Sequence, residues 1–175
     1  IKSYVFMSTD QKMKFDVSID TITFTDEHQY TGWKDFSKNV LSFLDKVKPI
    51  LERIQIKRTS VRFINRFTFP SFENPQKYFN TMVTSKEPQS FYPIRQYGFR
   101  LIMDVPNSEI YSIVNHNVET ISNGQYLYTF DIDVLDNQNL VYDRDTLTPN
   151  LEKLREIKNK LFFESITQET IDLCN

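Results

Sequence analysis

Residues 59–69 read TSVRFINRFTF, and Pro70 closes them. β-Branched and aromatic side chains dominate the stretch, the composition that suits a pleated, half-buried surface. A period of two puts Arg62, Ile64 and Arg66 on one face and Val61, Phe63, Asn65 and Phe67 on the other. The segment therefore predicts a strand with one aromatic side and one basic side.

On its N-terminal side, Trp33, Phe36, Val40, Phe43, Leu44, Val47, Ile50, Leu51 and Ile54 recur at three- and four-residue spacing. That is the apolar stripe of a long amphipathic helix. Pro49 lies inside it, lacks an N–H, and predicts a kink or split near Lys48. Earlier still, Tyr4 to Ser8 is a short β-like run, and Met13, Phe15, Val17 and Ile19 alternate with polar residues. The apolar phase slips at Asp20–Thr21 and resumes at Ile22 and Phe24, which predicts a bulge or tight turn.

On the C-terminal side, residues 74–83 predict a short helix with Asn74 as N-cap and Pro75 at its first position. A polar stretch with two prolines follows and predicts a loop. Phe99, Leu101, Met103 and Val105 mark another strand, and residues 109–120 a further one. Asn123–Gly124 is a hairpin signal, after which residues 125–135 (QYLYTFDIDVL) return. Thr148–Pro149 opens a helix through Leu151, Leu154, Ile157, Leu161 and Phe162, and residues 167–174 predict one more helical piece.

The order β-β-β-α-β, a link, then β-β-β-α predicts an α+β fold: antiparallel curved sheets with helices packed on one face. The similar order of elements in the two halves suggests a duplicated β-β-β-α, helix-grip-like unit. The expectation is a single α+β domain over residues 1–175, with pseudo-repeated lobes at 1–83 and 91–175 and a loop at 84–93.

Composition narrows the function classes. The 175 residues include 15 Phe and 9 Tyr and are 39% apolar, enough for a sizeable core. A net charge of −2 and a pI near 5.7 argue against bulk binding to nucleic acid or to an anionic membrane surface. The single cysteine, Cys174, forms no internal disulfide framework, which favours a reducing, cytoplasmic setting. No apolar run is long enough to span a membrane. The chain opens on Ile1, inside what reads as a strand already under way, so a preceding segment is expected.

Few residues invite chemistry. Arg62 and Arg66 share a strand face and could grip a phosphate or carboxylate, or pair with acids on neighbouring strands. Asp131 and Asp133 share a face of another strand; they suit a metal or a proton-handling pair, but equally suit Arg62 and Arg66 as partners. Asn65, between Phe63 and Phe67, is a polar group among aromatics and needs a partner. Phe63, Phe67, Tyr126, Tyr128 and Phe130 beside these arginines could form a base-stacking platform, or simply be core. His28, His116 and Cys174 lack ligand-like or nucleophile-like surroundings, and three scattered glycines build no phosphate loop. No cofactor or metal is called for.

Taken together, Tyr30-Thr-Gly-Trp33-x-x-Phe36, Arg62-Phe-Ile-Asn-Arg66 running to Pro70, Phe130-Asp-Ile-Asp133 and the Leu154–Phe163 helix resemble a sporadically distributed prokaryotic family with no established activity. The resemblance implies a bacterial or archaeal cytoplasmic protein and an N-terminal β-α segment beyond this chain's start. It also implies a single polar constellation of Arg62, Asn65, Arg66, Asp131 and Asp133. The expected function is a non-enzymatic binding or assembly module that recognises a protein partner or forms a homo-oligomer. The alternatives are a ligand- or nucleotide-binding domain with an aromatic cleft and an arginine anchor and, behind it, a metal-dependent hydrolase using Asp131 and Asp133.

Overall fold

The computed structural model describes residues 3–9, 13–26, 30–70, 75–81, 95–121 and 124–173. Strands β1 (Tyr4–Met7), β2 (Met13–Val17) and β3 (Ile22–Asp26) precede helices α1 (Trp33–Lys46) and α2 (Lys48–Leu51). Then come β4 (Gln55–Ile56), β5 (Thr59–Phe69), β6 (Gln96–Asp104), β7 (Ile110–Thr120), β8 (Tyr126–Asp136) and β9 (Leu140–Val141). Helices α3 (Arg144–Ser165) and α4 (Gln168–Leu173) follow. The fold is α+β with antiparallel sheets, as the sequence predicts.

The chain separates into two compact units, Ile1–Ile54 with Val141–Arg144, and Gln55–Leu140 with Asp145–Asn175. The expected division differed: β5, from the expected first lobe, shares a sheet with β6, β7 and β8 of the second. The loop expected at 84–93 lies outside the described residues, as do His28, Asn74, Asn123 and Cys174.

In the first unit, β1, β2 and β3 form an antiparallel sheet in that order. The phase slip at Asp20–Thr21 is a tight turn: Ser18 donates its amide to the Thr21 carbonyl at 2.9 Å, and Ile19 projects into solvent. Phe43 of α1 stacks on Phe15 at 4.8 Å, and Phe24 meets both rings edge-on at 5.2 and 5.4 Å. Pro49 does split the helical stretch: α1 stops at Lys46, Val47 leaves helical geometry, and α2 restarts with proline in its first two positions.

In the second unit the strand order is β5-β8-β7-β6, antiparallel throughout. Tyr128, Phe130, Ile132 and Val134 of β8 point to one face and are wholly buried. α3 lies over that face: Phe162 stacks on Phe130 at 5.9 Å, and the Lys158 ammonium sits 3.7 Å above the Phe63 ring. Of the segment 74–83 expected as a helix, the described residues 75–81 form only a 3-10 turn, Pro75–Lys77. Their backbone is used elsewhere: Asn80 donates to the Ser165 carbonyl and Thr167 to the Tyr78 carbonyl, and buried Phe79 stacks on Tyr128 at 3.8 Å. α3 also begins a turn before Thr148, so Pro149 falls inside it. A chain of hydrogen bonds ties the second turn of the helix to the sheet. Asn150 donates to buried Asp136 at 2.6 Å and accepts from the Thr59 hydroxyl at 2.7 Å.

His116 of β7 is fully buried, stacked on Phe99 at 4.3 Å and on Phe130 at 4.7 Å, with Nδ1 hydrogen-bonded to the Tyr128 hydroxyl. Burial lowers its pKa from 6.5 to about 4. Because the folded value lies below the unfolded one, the unfolded chain binds more protons below pH 6.5. Stability from this group is therefore complete above pH 6.5 and drains away as pH falls toward 4. The expected loss across that window is on the order of 3 kcal/mol. Urea midpoints measured from pH 7 to 4 should fall more steeply for the native chain than for His116→Gln; parallel profiles would contradict the assignment.

Candidate functional site

The five polar residues singled out in the sequence fall on both faces of the four-stranded sheet. Arg62 and Arg66 of β5, and Asp131 and Asp133 of β8, share the face away from α3. Asn65 points the other way, into the core, and donates to the Phe130 carbonyl at 3.1 Å.

Cross-strand register decides the pairing. Arg62 stands opposite Asp133 and Ile64 opposite Asp131. Arg62 nevertheless reaches diagonally: Nε donates to Asp131 Oδ1 at 2.8 Å and the terminal nitrogen to Oδ2 at 2.7 Å. Asn115 of β7, directly across from Asp131 on the other side, donates a third bond to Oδ2 at 3.1 Å. Asp131 is thereby buried with both oxygens occupied, and the hydrogen bond to it raises the Arg62 pKa above its usual value. Burial pushes the Asp133 carboxyl up, opposed by the neighbouring Arg62 charge; its Oδ1 has no hydrogen-bond partner.

Arg66 does not join this group. It faces Thr129, is exposed, and makes no ion pair with any described residue. Four residues of strand separate it from Arg62, about 13 Å, too far for the two guanidiniums to hold one phosphate together. The expected pairing of both arginines with both aspartates is thus corrected to one bidentate pair, Arg62 with Asp131. Asn115 is the residue that sequence reading missed. A two-residue hairpin turn at Asn123–Gly124 would set Asn115 against Ile132; the observed register is one residue off that and sets Asn115 against Asp131.

The aromatics lie on the opposite face. Phe63 and Phe67 share register with Ile132 and Tyr128, and Tyr128, Phe130 and Phe79 are closed over by one another and by α3. Neither an aromatic cleft anchored by Arg62 or Arg66 nor a stacking platform beside them is formed by this sheet. No group of three or more His, Cys, Asp or Glu among the described residues is placed to hold a metal ion.

A different feature stands out in the first unit. β1 is an edge strand with β2 as its neighbour, and Tyr4, Val5, Phe6 and Met7 are 69%, 53%, 54% and 51% exposed. Four consecutive large apolar side chains on an edge that no other described strand covers form a template for another strand. The strand carries no lysine, proline or other charge to block pairing. No described helix is long and apolar enough to cross a membrane.

Compared with known proteins, the chain matches no family model, no curated protein and no solved structure.

The two arginines should separate experimentally. Arg62→Gln leaves Asp131 buried with fewer donors and should lower unfolding free energy by roughly 1–3 kcal/mol. Arg66→Gln should change it by less than about 0.5 kcal/mol. Urea denaturation of both variants checks this; equal effects would contradict the bidentate assignment.

Proposed function

We propose that the chain is a non-enzymatic assembly module that pairs with a second copy of itself through strand β1. The supporting observation is the exposed run Tyr4–Met7 on an edge strand. An antiparallel pairing of β1 with its own copy sets no like charges against each other, because the strand is uncharged. The other sheet's edges are less suited: β5 carries Arg62 and Arg66, and β6 carries Arg100 and Asp104. Charges of this kind are how native sheets discourage edge pairing.

The proposal places the protein in the prokaryotic family it resembles and in a reducing cytoplasm, supported by the motif order and by the lone cysteine. A ligand- or nucleotide-binding domain anchored by Arg62 has less support, since Asp131 already engages that guanidinium from two nitrogens. Hydrolysis at Asp131 and Asp133 has less still, for the same reason.

Sedimentation velocity over a concentration series should show a reversible monomer–dimer equilibrium. Val5→Lys and Phe6→Lys, each checked for native circular dichroism, should weaken it at least about tenfold, or about 1.4 kcal/mol. A native chain that stays monomeric at every concentration, or dimers indifferent to both lysines, would contradict self-pairing. A monomer that instead captures a partner's strand at this edge would move the reading to heterologous docking.

A further inference from the structure

The first unit contains a groove of about 500 Å³ between its sheet and α1. α1 lines it with Asp35, Phe36, Asn39, Ser42, Phe43 and Lys46, spaced three and four residues apart along one helix face. The sheet contributes Met13, Phe15 and Asp26. The volume lies within the range of small-molecule sites. We propose that this groove binds a small organic ammonium, a primary or secondary amine carried on an aromatic or aliphatic body.

Three features of the groove favour that chemistry. Its apolar wall is preformed: Phe15 and Phe43 are stacked at 4.8 Å, and Phe24 braces both edge-on. A rigid wall of this kind accepts an apolar body with little ordering loss. Phenyl rings attract cations, and Phe36 adds a further ring to the lining. Two carboxylates, Asp26 and Asp35, lie in the lining, and Asp35 makes no salt bridge with any described residue. The cation in the lining is Lys46, eleven residues along α1 from Asp35 and so about 16 Å away, too distant to neutralise it. Asp35 also sits in the first turn of α1, where a negative charge complements the helix dipole.

This site is independent of strand pairing, so its failure and that of β1 assembly are separable. The probes are phenethylamine and, as the charge-reversed control, phenylacetate at matched ionic strength. Amide chemical-shift titrations of the full chain should show saturable binding of the amine, with shifts at Phe15, Phe36 and Phe43. Asp35→Asn and Asp26→Asn, each confirmed folded, should weaken it roughly two- to fivefold each. Val5→Lys should leave it unchanged. Absence of saturable shifts with phenethylamine would overturn the proposal. Equal binding of phenylacetate, or an Asp26→Asn/Asp35→Asn double variant that binds like the native chain, would do the same.

Discussion

The constraint on which the second unit depends is that β8 is paired along all eleven residues on both sides, with one face wholly buried and the other partly so. On one face Tyr128, Phe130, Ile132 and Val134 have no accessible surface. On the other, Asp131 is an ionised group denied most of its water, and such a group must be partnered or neutralised. Its partners come from both flanking strands, Arg62 of β5 and Asn115 of β7. A one-residue slip of either neighbour would break those bonds and turn core side chains outward. The cluster that most resembles a site in the sequence is thus a register device spanning three strands.

The same unit carries other buried polar groups, each tied to packing. Asp136 ends β8 in the hydrogen-bond chain through Asn150 to Thr59, which fastens the start of α3 to two strands. Burial pushes the Lys158 amine down to about 8, and its ammonium is offset by the Phe63 face. His116 is kept neutral between two rings. These arrangements consolidate a core; none opens to solvent beside a second reactive group.

Much of the architecture is legible in periodicity. TSVRFINRFTF is β5 from end to end, the slip at Asp20–Thr21 is a turn, and Pro49 divides the helix. What could not be read depends on partners far along the chain. The 74–83 segment has the local signals of a helix, yet the Asn80 amide and the Tyr78 carbonyl are engaged by Ser165 and Thr167. α3 is tied to the sheet by Asn150, which answers Asp136 and Thr59, positions that only the folded sheet brings together. The division into units escaped for the same reason: β5 belongs to a sheet assembled from residues thirty to seventy further on. Of the polar constellation, face assignments were right for Arg62, Asp131 and Asn65, while diagonal reach, the isolation of Arg66 and the role of Asn115 needed the register.

The proposed self-pairing lies away from the arginine–aspartate cluster, at an edge marked in the sequence by an uninterrupted apolar tetrad, Tyr4–Met7. Burying such an edge against its own copy removes apolar surface from water and satisfies backbone groups that an isolated edge leaves to solvent. The most direct measurement is amide hydrogen exchange, resolved to single residues, at rising protein concentration. Self-pairing predicts that amides in Tyr4–Met7 slow as concentration rises while those on the free side of β6 keep their rates. Concentration-independent exchange throughout β1 would contradict it.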